Sequence, residues 1–438
     1  MKFSIVSIGT ELNLGLILNT NSKYITEMLT ELGLECNYMF TVRDDCDDIE
    51  NALKEAIDHS EVIIVSGGLG PTDDDLTRIA VAKALNKDLV KDESLDETSL
   101  RFLKWLQNKS IEETLKRQSF IPKGSIPIKP RIGSASGFII KLGPDYSKEA
   151  AGCSKWIFSI PGVPKEMKDM LDNDVIPFLK SMIDGPAQAG GKIVREFLKK
   201  KILLTTDISE SEMEFKIKDA KQLAKDLKVE IGVTANPGLI KIMLLARSCD
   251  EKKCDSNLKL IEKKIREIIG ENIYGAGNDI MADSIREAIN KKGSKITISV
   301  AESVTGGLIS SLLTDTPGSS EFFIGSIVSY STSAKEEVLN IIDDLIVEKG
   351  VVSPDVCLEM AQNIKRLFHS DFAVGTTGIA GPKSFEKDKK IGLVYCCLIG
   401  PNGLSEVYEK NFIGTRTEIK FRTAQFILNK LRLAINNL

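Results

Sequence analysis

Ser303 stands in Ala301-Glu302-Ser303-Val304-Thr305-Gly306-Gly307, where an apolar run gives way to glycines and then to a helical pattern. A serine at a strand-to-helix turn can be exposed on a corner, and the unpaired N–H groups that open a helix can bind phosphate or polarise a carbonyl. Such a hydroxyl needs a base. The two histidines do not supply it, because His59 lies far upstream and His369 sits near a helix end, away from every glycine turn. Lys335, in Tyr330-Ser331-Thr332-Ser333-Ala334-Lys335, is the better candidate. Ser333 and Glu336 have the spacing of a capping box, which places Lys335 in the first turn of a helix. The partial positive charge there disfavours an ammonium ion, lowers the lysine pKa and leaves amine able to accept a proton. Taken singly, the serine turn reads as a capped helix and the lysine as a solvated surface residue.

Two further glycine turns share this character. Ser66-Gly67-Gly68-Leu69-Gly70-Pro71-Thr72 is followed by Asp73, Asp74 and Asp75 and then by a helical pattern. Glycines there let backbone N–H groups approach a phosphate, and three carboxylates beside it could hold a divalent cation. The plainer reading is a turn whose aspartates cap the next helix. Gly9-Thr10-Glu11 and Asn19 follow another strand-like run and would face the same crevice, so a nucleotide or cofactor site is expected there. The third turn, Thr376-Thr377-Gly378-Ile379-Ala380-Gly381-Pro382, offers Gly378 and Gly381 for close ligand approach and threonines such as Thr377 to hold a carbonyl or amide.

The elements that must position these turns alternate. Strands at 3–8, 61–66 and 155–160, with helices at 19–32, 76–85 and from Pro164, indicate a doubly wound parallel sheet whose ligands bind at the carboxyl ends of the strands. Residues 181–192 are rich in small and breaking residues and read as a linker. The next segment reads β-α-β-β-α-β, the split ferredoxin-like order, and carries no catalytic cluster. From 279 onward the pattern is again α/β. The expected organisation is a nucleotide domain at 1–180, a small α+β linker or assembly domain at 181–278, and an α/β catalytic domain at 279–438.

Composition narrows the partners. The 438 residues are 42% hydrophobic and 27% charged, an ordinary globular balance. Lys plus Arg at 58 against Asp plus Glu at 62 gives −4, and with no long basic stretch this argues against nucleic acid. The eight cysteines make no zinc-ligand spacing with one another or with the two histidines, so reduced thiols in a cytoplasmic protein are expected. No run approaches the roughly 18 apolar residues of a membrane span.

The turns together, in this order over nearly the whole chain, resemble the CinA family of competence/damage-inducible proteins. The resemblance implies an N-terminal domain similar to molybdopterin-binding proteins and a C-terminal nicotinamide mononucleotide deamidase domain. For the deamidase it implies Ser303 as nucleophile, Lys335 as its base and Tyr330 as a helper positioning the reacting groups. Thr305, Gly306, Gly307, Thr377, Gly378, Gly381 and Arg416 are then expected to bind a small nucleotide, with no cofactor. It implies that Gly9, Thr10, Glu11, Asn19, Gly67, Gly68, Gly70 and Thr72 form an N-terminal nucleotide site. In some family members that domain is a metal-dependent ADP-ribose pyrophosphatase, which makes Asp73, Asp74 and Asp75 candidate ligands for a divalent cation. A homodimer is also expected. The chain departs from the family pattern with Val304 for a usual cysteine, Pro161-Gly162-Val163-Pro164 for Pro-Gly-Pro-Pro, a charged segment at 383–390, and Lys420 for an arginine. Arginine's bidentate phosphate geometry is not reproduced by lysine. The alternative function is therefore a pterin- or nucleotide-binding protein whose C-terminal domain is degenerate.

Overall fold

The computed structural model describes residues 1–95, 117–143, 146, 155–184, 197–384, 386 and 388–438. They divide into two compact units, Met1–Lys199 with Arg247–Cys254, and Lys200–Ala246 with Asp255–Leu438.

The first unit is built on β1 (Lys2–Ile8), β2 (Glu35–Val42), β3 (Val62–Ser66), β6 (Ile126–Ile128), β7 (Gly137–Lys141) and β8 (Trp156–Ile160), in the order β2-β1-β3-β8-β7-β6, while β4 (Leu89–Lys91) and β5 (Phe120–Pro122) pair separately. The strands expected from the sequence are present as β1, β3 and β8, and β2-β1-β3-β8 is parallel. The far edge is not: β7 and β6 run antiparallel, with Leu142 N donating to Lys155 O to prolong the β7–β8 ladder. In β3, Ile63 and Val65 face a core with Ile49, Leu53 and Val81, while Val62 and Ile64 face another with Ile25, Leu29 and Met167. Strand side chains alternate faces, so a continuous apolar strand is the signature of a sheet covered on both sides. Each fully buried Val, Leu or Ile contributes about 1.5–3 kcal/mol. Because the central strands are parallel and in register, with Ser7 opposite Ser66 and Ser66 opposite Ile160, their turns open on one rim.

Next come β9 (Phe197–Thr205), β10 (Val229–Asn236), β11 (Leu239–Ser248) and β12 (Ile273–Ala276), in the ferredoxin-like order β10-β11-β9-β12. The helix expected between the first two breaks at Ile217 into Glu210–Lys216 and Lys218–Asp226.

The last sheet contains β13 (Ile298–Glu302), β14 (Phe323–Val328), β15 (Phe372–Gly378), β16 (Leu393–Ile399) and β17 (Ser405–Asn411), in the order β14-β13-β15-β16-β17. β13 is parallel to both of its neighbours, whereas β16 and β17 are antiparallel. Glu302 is level with Val328 on one side and Thr376 on the other. The chain therefore leaves β13 at Ser303 with the ends of β14 and β15 on either side.

Candidate active site

Ser303 is held by its own backbone, since its N–H donates to Thr376 O at 2.9 Å, while Ser329 N donates to Glu302 O at 2.9 Å. Glu302 is buried and accepts from Gly307 N (2.9 Å), Ile309 N (3.1 Å), Ser310 N (2.9 Å) and Ser310 Oγ (2.5 Å). A carboxylate inside a protein persists when hydrogen bonds replace its water. Here those bonds tie the turn after Ser303 to the helix Leu308–Thr314. The Gly307 amide, expected to face a ligand, is thereby committed to Glu302. The amides of Val304, Thr305 and Gly306 have no acceptor among the described residues.

Lys335 is fully buried, and its Nζ donates to Ser329 O at 2.6 Å and lies 3.0 Å from Ser303 Oγ. Burial alone lowers its pKa from 10.5 to about 8. This corrects the cause expected from the sequence. The helix is Thr332–Glu337, its cap is Ser331, which accepts from Ala334 N at 3.1 Å, and Ser333 Oγ bonds Ser331 Oγ instead. Lys335 falls in the last turn of that six-residue helix and not, as expected, in its first, so burial and not the helix start is what lowers its pKa.

Around this pair the other expected residues separate. Arg416 Nη1 donates to Gly381 O at 2.6 Å and Nη2 to Tyr330 Oη at 2.5 Å, so one guanidinium joins the third turn to the tyrosine. Tyr330 is exposed, and its hydroxyl sits on Arg416, not on the serine or lysine. Thr305 Oγ1 and Thr376 Oγ1 lie 3.0 Å apart and clasp the first turn to the third. Thr377 turns away and donates to Val351 O, while a Cβ on Gly378 would meet Val394 Cγ1 at 2.6 Å, so both serve packing in this structure. Lys420 brings its ammonium to within 3.5 Å of where a Gly306 Cβ would stand, which keeps a cation beside the turn. In the segment 383–390, Glu386 accepts from Val352 N and pairs with Lys389, which donates to Val352 O. Those described contacts hold the segment to Val352 and do not involve Ser303 or Lys335.

In the first unit a cavity of about 560 Å³ is lined by Gly9, Glu11, Asn19, Gly67, Gly68, Gly70, Asp74 and Asp75, which joins the two expected turns. It adds Asn21, Asp44, Ser134, Val163 and Glu166. Gly67 has φ +114, and a Cβ would lie 2.2 Å from Ile8 O, so the two turns meet only with glycine there. Asn19 is the helix cap for Ser22 N, and Asn21, which the sequence did not single out for the site, bridges to Gly162 O at 2.7 Å. Thr10 is engaged by Asp44, and Thr72 by Asp75.

The three aspartates do not converge. Asp75 turns inward, accepting from Gly70 N at 2.7 Å and Thr72 N at 2.8 Å; Asp73 pairs with Arg117; Asp74 faces the cavity. Among the described residues no three His, Cys, Asp or Glu side chains are grouped to hold a metal, so the donor set does not fit a three-aspartate ion site. The helix after them starts from Leu76 with no side-chain cap, so capping is not their role either.

Three family models match the chain: a probable molybdopterin binding domain over residues 4–181, the damage-inducible protein CinA KH domain over 200–275, and the CinA C-terminal domain over 278–435. A "Putative competence-damage inducible protein" of Halothermothrix orenii is 34% identical over 425 residues, covering 97% of this chain and 96% of the relative. A "CinA-like protein" of Prochlorococcus marinus is 35% identical over 437 residues, covering 98% of this chain and 97% of that one. Among solved structures, the protein CinA with unknown function from Thermoplasma acidophilum is 33% identical over 39% of this chain and 94% of its own, with a TM-score of 0.34. On the strength of these full-length relatives, the chain belongs to the CinA family.

Proposed function

We propose that the C-terminal α/β domain, residues 279–438, hydrolyses the carboxamide of nicotinamide mononucleotide to nicotinate mononucleotide and ammonia. The observation that carries this reading is Lys335 Nζ, buried and 3.0 Å from Ser303 Oγ, with no carboxylate bonded to it among the described residues. Neutral Lys335 keeps one N–H on the Ser329 carbonyl and turns its lone pair to the serine proton. Ser303 Oγ attacks the amide carbon, Lys335 takes the proton, and the ammonium returns it to the departing nitrogen as ammonia leaves. Water then cleaves the acyl-serine ester with the same amine as base. The free amides of Val304, Thr305 and Gly306 are the donors available to the oxyanion or to the substrate phosphate. No cofactor enters this sequence.

The first unit supports a second reading, binding of a nucleotide or pterin, because both glycine turns line one cavity. The family's ADP-ribose hydrolysis is part of it, but no step is assigned to a metal, since the aspartates do not gather. The degenerate-domain alternative draws no support from Lys420, Glu386 or Lys389, whose described contacts do not touch the serine–lysine pair. A homodimer in a reducing, cytoplasmic setting completes the proposal; the seven described cysteines are free thiols, and no described helix is long and apolar enough to cross a membrane.

The experiment is ammonia release from a panel of nicotinamide mononucleotide, its riboside, free nicotinamide and NAD, beside binding of the same compounds and ADP-ribose. Release from the mononucleotide first and foremost is expected. Binding at the first unit with no ammonia from any compound would leave the binding-protein reading.

A further inference from the structure

Glu166 lies in the helix Pro164–Met170 and lines the cavity of the first unit. No hydrogen bond or ion pair engages its carboxylate among the described residues, in contrast with Asp44 and Asp75 on the same walls. The carboxylate packs against Gly133, at φ +70, where a Cβ would stand 1.9 Å from Glu166 Oε1, on the segment leading to Ser134. On the side toward the Gly67–Gly70 turn, Gly162 packs on Gly67, where an added Cβ would be 3.2 Å from Gly67 Cα, and Asn21 donates to Gly162 O. The cavity thus has a glycine wall suited to phosphate and a separate wall carrying an acceptor with nothing to accept from. A partly buried carboxylate left unpaired is costly, and burial already raises the pKa of Glu166. A phosphate placed against it would be repelled, whereas a hydroxyl or amino group would be drawn to it.

We propose that Glu166 reads the non-phosphate end of the ligand in this cavity, accepting a hydrogen bond from a sugar hydroxyl or a base amino group. The inference rests on the nucleotide reading of the first unit and adds a requirement to it: the ligand carries a donor as well as a phosphate. Glu166 is in this sense a specificity-determining residue, and inorganic phosphates are poor mimics of what the site takes.

The test is calorimetric titration of the full chain with AMP, with 2′,3′-dideoxy-AMP, with purine riboside 5′-phosphate, which lacks the amino group, and with inorganic pyrophosphate. Wild-type protein is expected to bind one of the two analogues about tenfold or more weakly than AMP, as loss of a hydrogen bond to a charged group implies. The analogue that weakens identifies the donor. In Glu166→Gln and Glu166→Ala that discrimination is expected to collapse, with AMP falling to the level of the weakened analogue. Pyrophosphate should bind Glu166→Ala at least as well as wild type, which shows the cavity still formed. Equal binding of AMP and both analogues by wild type, or discrimination unchanged in both variants, overturns the role of Glu166 while leaving the nucleotide site standing. Failure of AMP and pyrophosphate alike to bind wild type removes the nucleotide reading, and the proposal with it.

Discussion

Lys335 reaches Ser303 from a helix of six residues, and nothing anionic among the described residues bonds to its amine. Only the neutral form can take the serine proton, so kcat/KM for deamidation should rise with pH and level off above an apparent pKa of about 8. The sign follows from the direction of the shift: a lysine with its pKa lowered is charged below that value and competent above it. A profile flat from pH 6 to 10 would contradict it. Lys335→Arg, which keeps a permanent charge, should lose about 10²–10⁴-fold in kcat, measured as ammonia release. At this scale the sequence exposed the residue types but not their surroundings. The serine and lysine were legible because each stands where a strand gives way to a helix, the serine just ahead of two glycines. Lys335's burial was not, because tertiary packing, which leaves no local pattern, sets its acidity in place of the helix terminus. Asn19 and Asn21 differ in the same way: both sit at one helix start, and only the folded cavity distinguishes the cap from the bridge.

The elements owe their precision to two carboxylates that fold loops back on themselves. Glu302 accepts four hydrogen bonds that fasten the nucleophile turn to its helix. Glu302→Gln places an amide N–H group against N–H donors and should destabilise the chain by about 1–3 kcal/mol, seen in denaturant unfolding, with a fall in kcat. Unchanged stability would mean the turn holds without it. Asp75→Asn should likewise loosen the Gly70–Thr72 loop and weaken nucleotide binding more than Asp73→Asn, since Asp73 contacts only Arg117 among the described residues. Titration calorimetry of the two variants compares them directly. The apolar strands β1, β3, β8 and β13 were readable because burial on both faces leaves continuous Val and Ile. β17 was not, being a mostly exposed edge strand, Ser-Glu-Val-Tyr-Glu-Lys-Asn. The final helix, Arg416–Asn436, escaped for the opposite reason: Ile419, Ala424, Phe426, Ile427, Leu428, Leu431 and Ile435 are buried on several sides, so no single apolar stripe marks it.

Across the whole molecule, the two proposed sites fall in separate units, the serine–lysine pair in one and the cavity between two glycine turns in the other. The order of the glycine turns along the chain made this division visible in the sequence, whereas the fate of the three aspartates depended on which loop atoms each one meets. A chelator should leave ammonia release intact, because no deamidation step uses a metal; loss of release on chelation, restored by added divalent ion, would contradict the serine–lysine chemistry. Light scattering at micromolar concentration should give twice the mass of one chain. The most direct measurement is ammonia release from nicotinamide mononucleotide by the full-length Ser303→Ala chain, compared with wild type, with AMP binding followed in both. Release should fall to background while AMP binding is unchanged. Undiminished ammonia release from Ser303→Ala would remove the nucleophile and contradict the assignment of the C-terminal site.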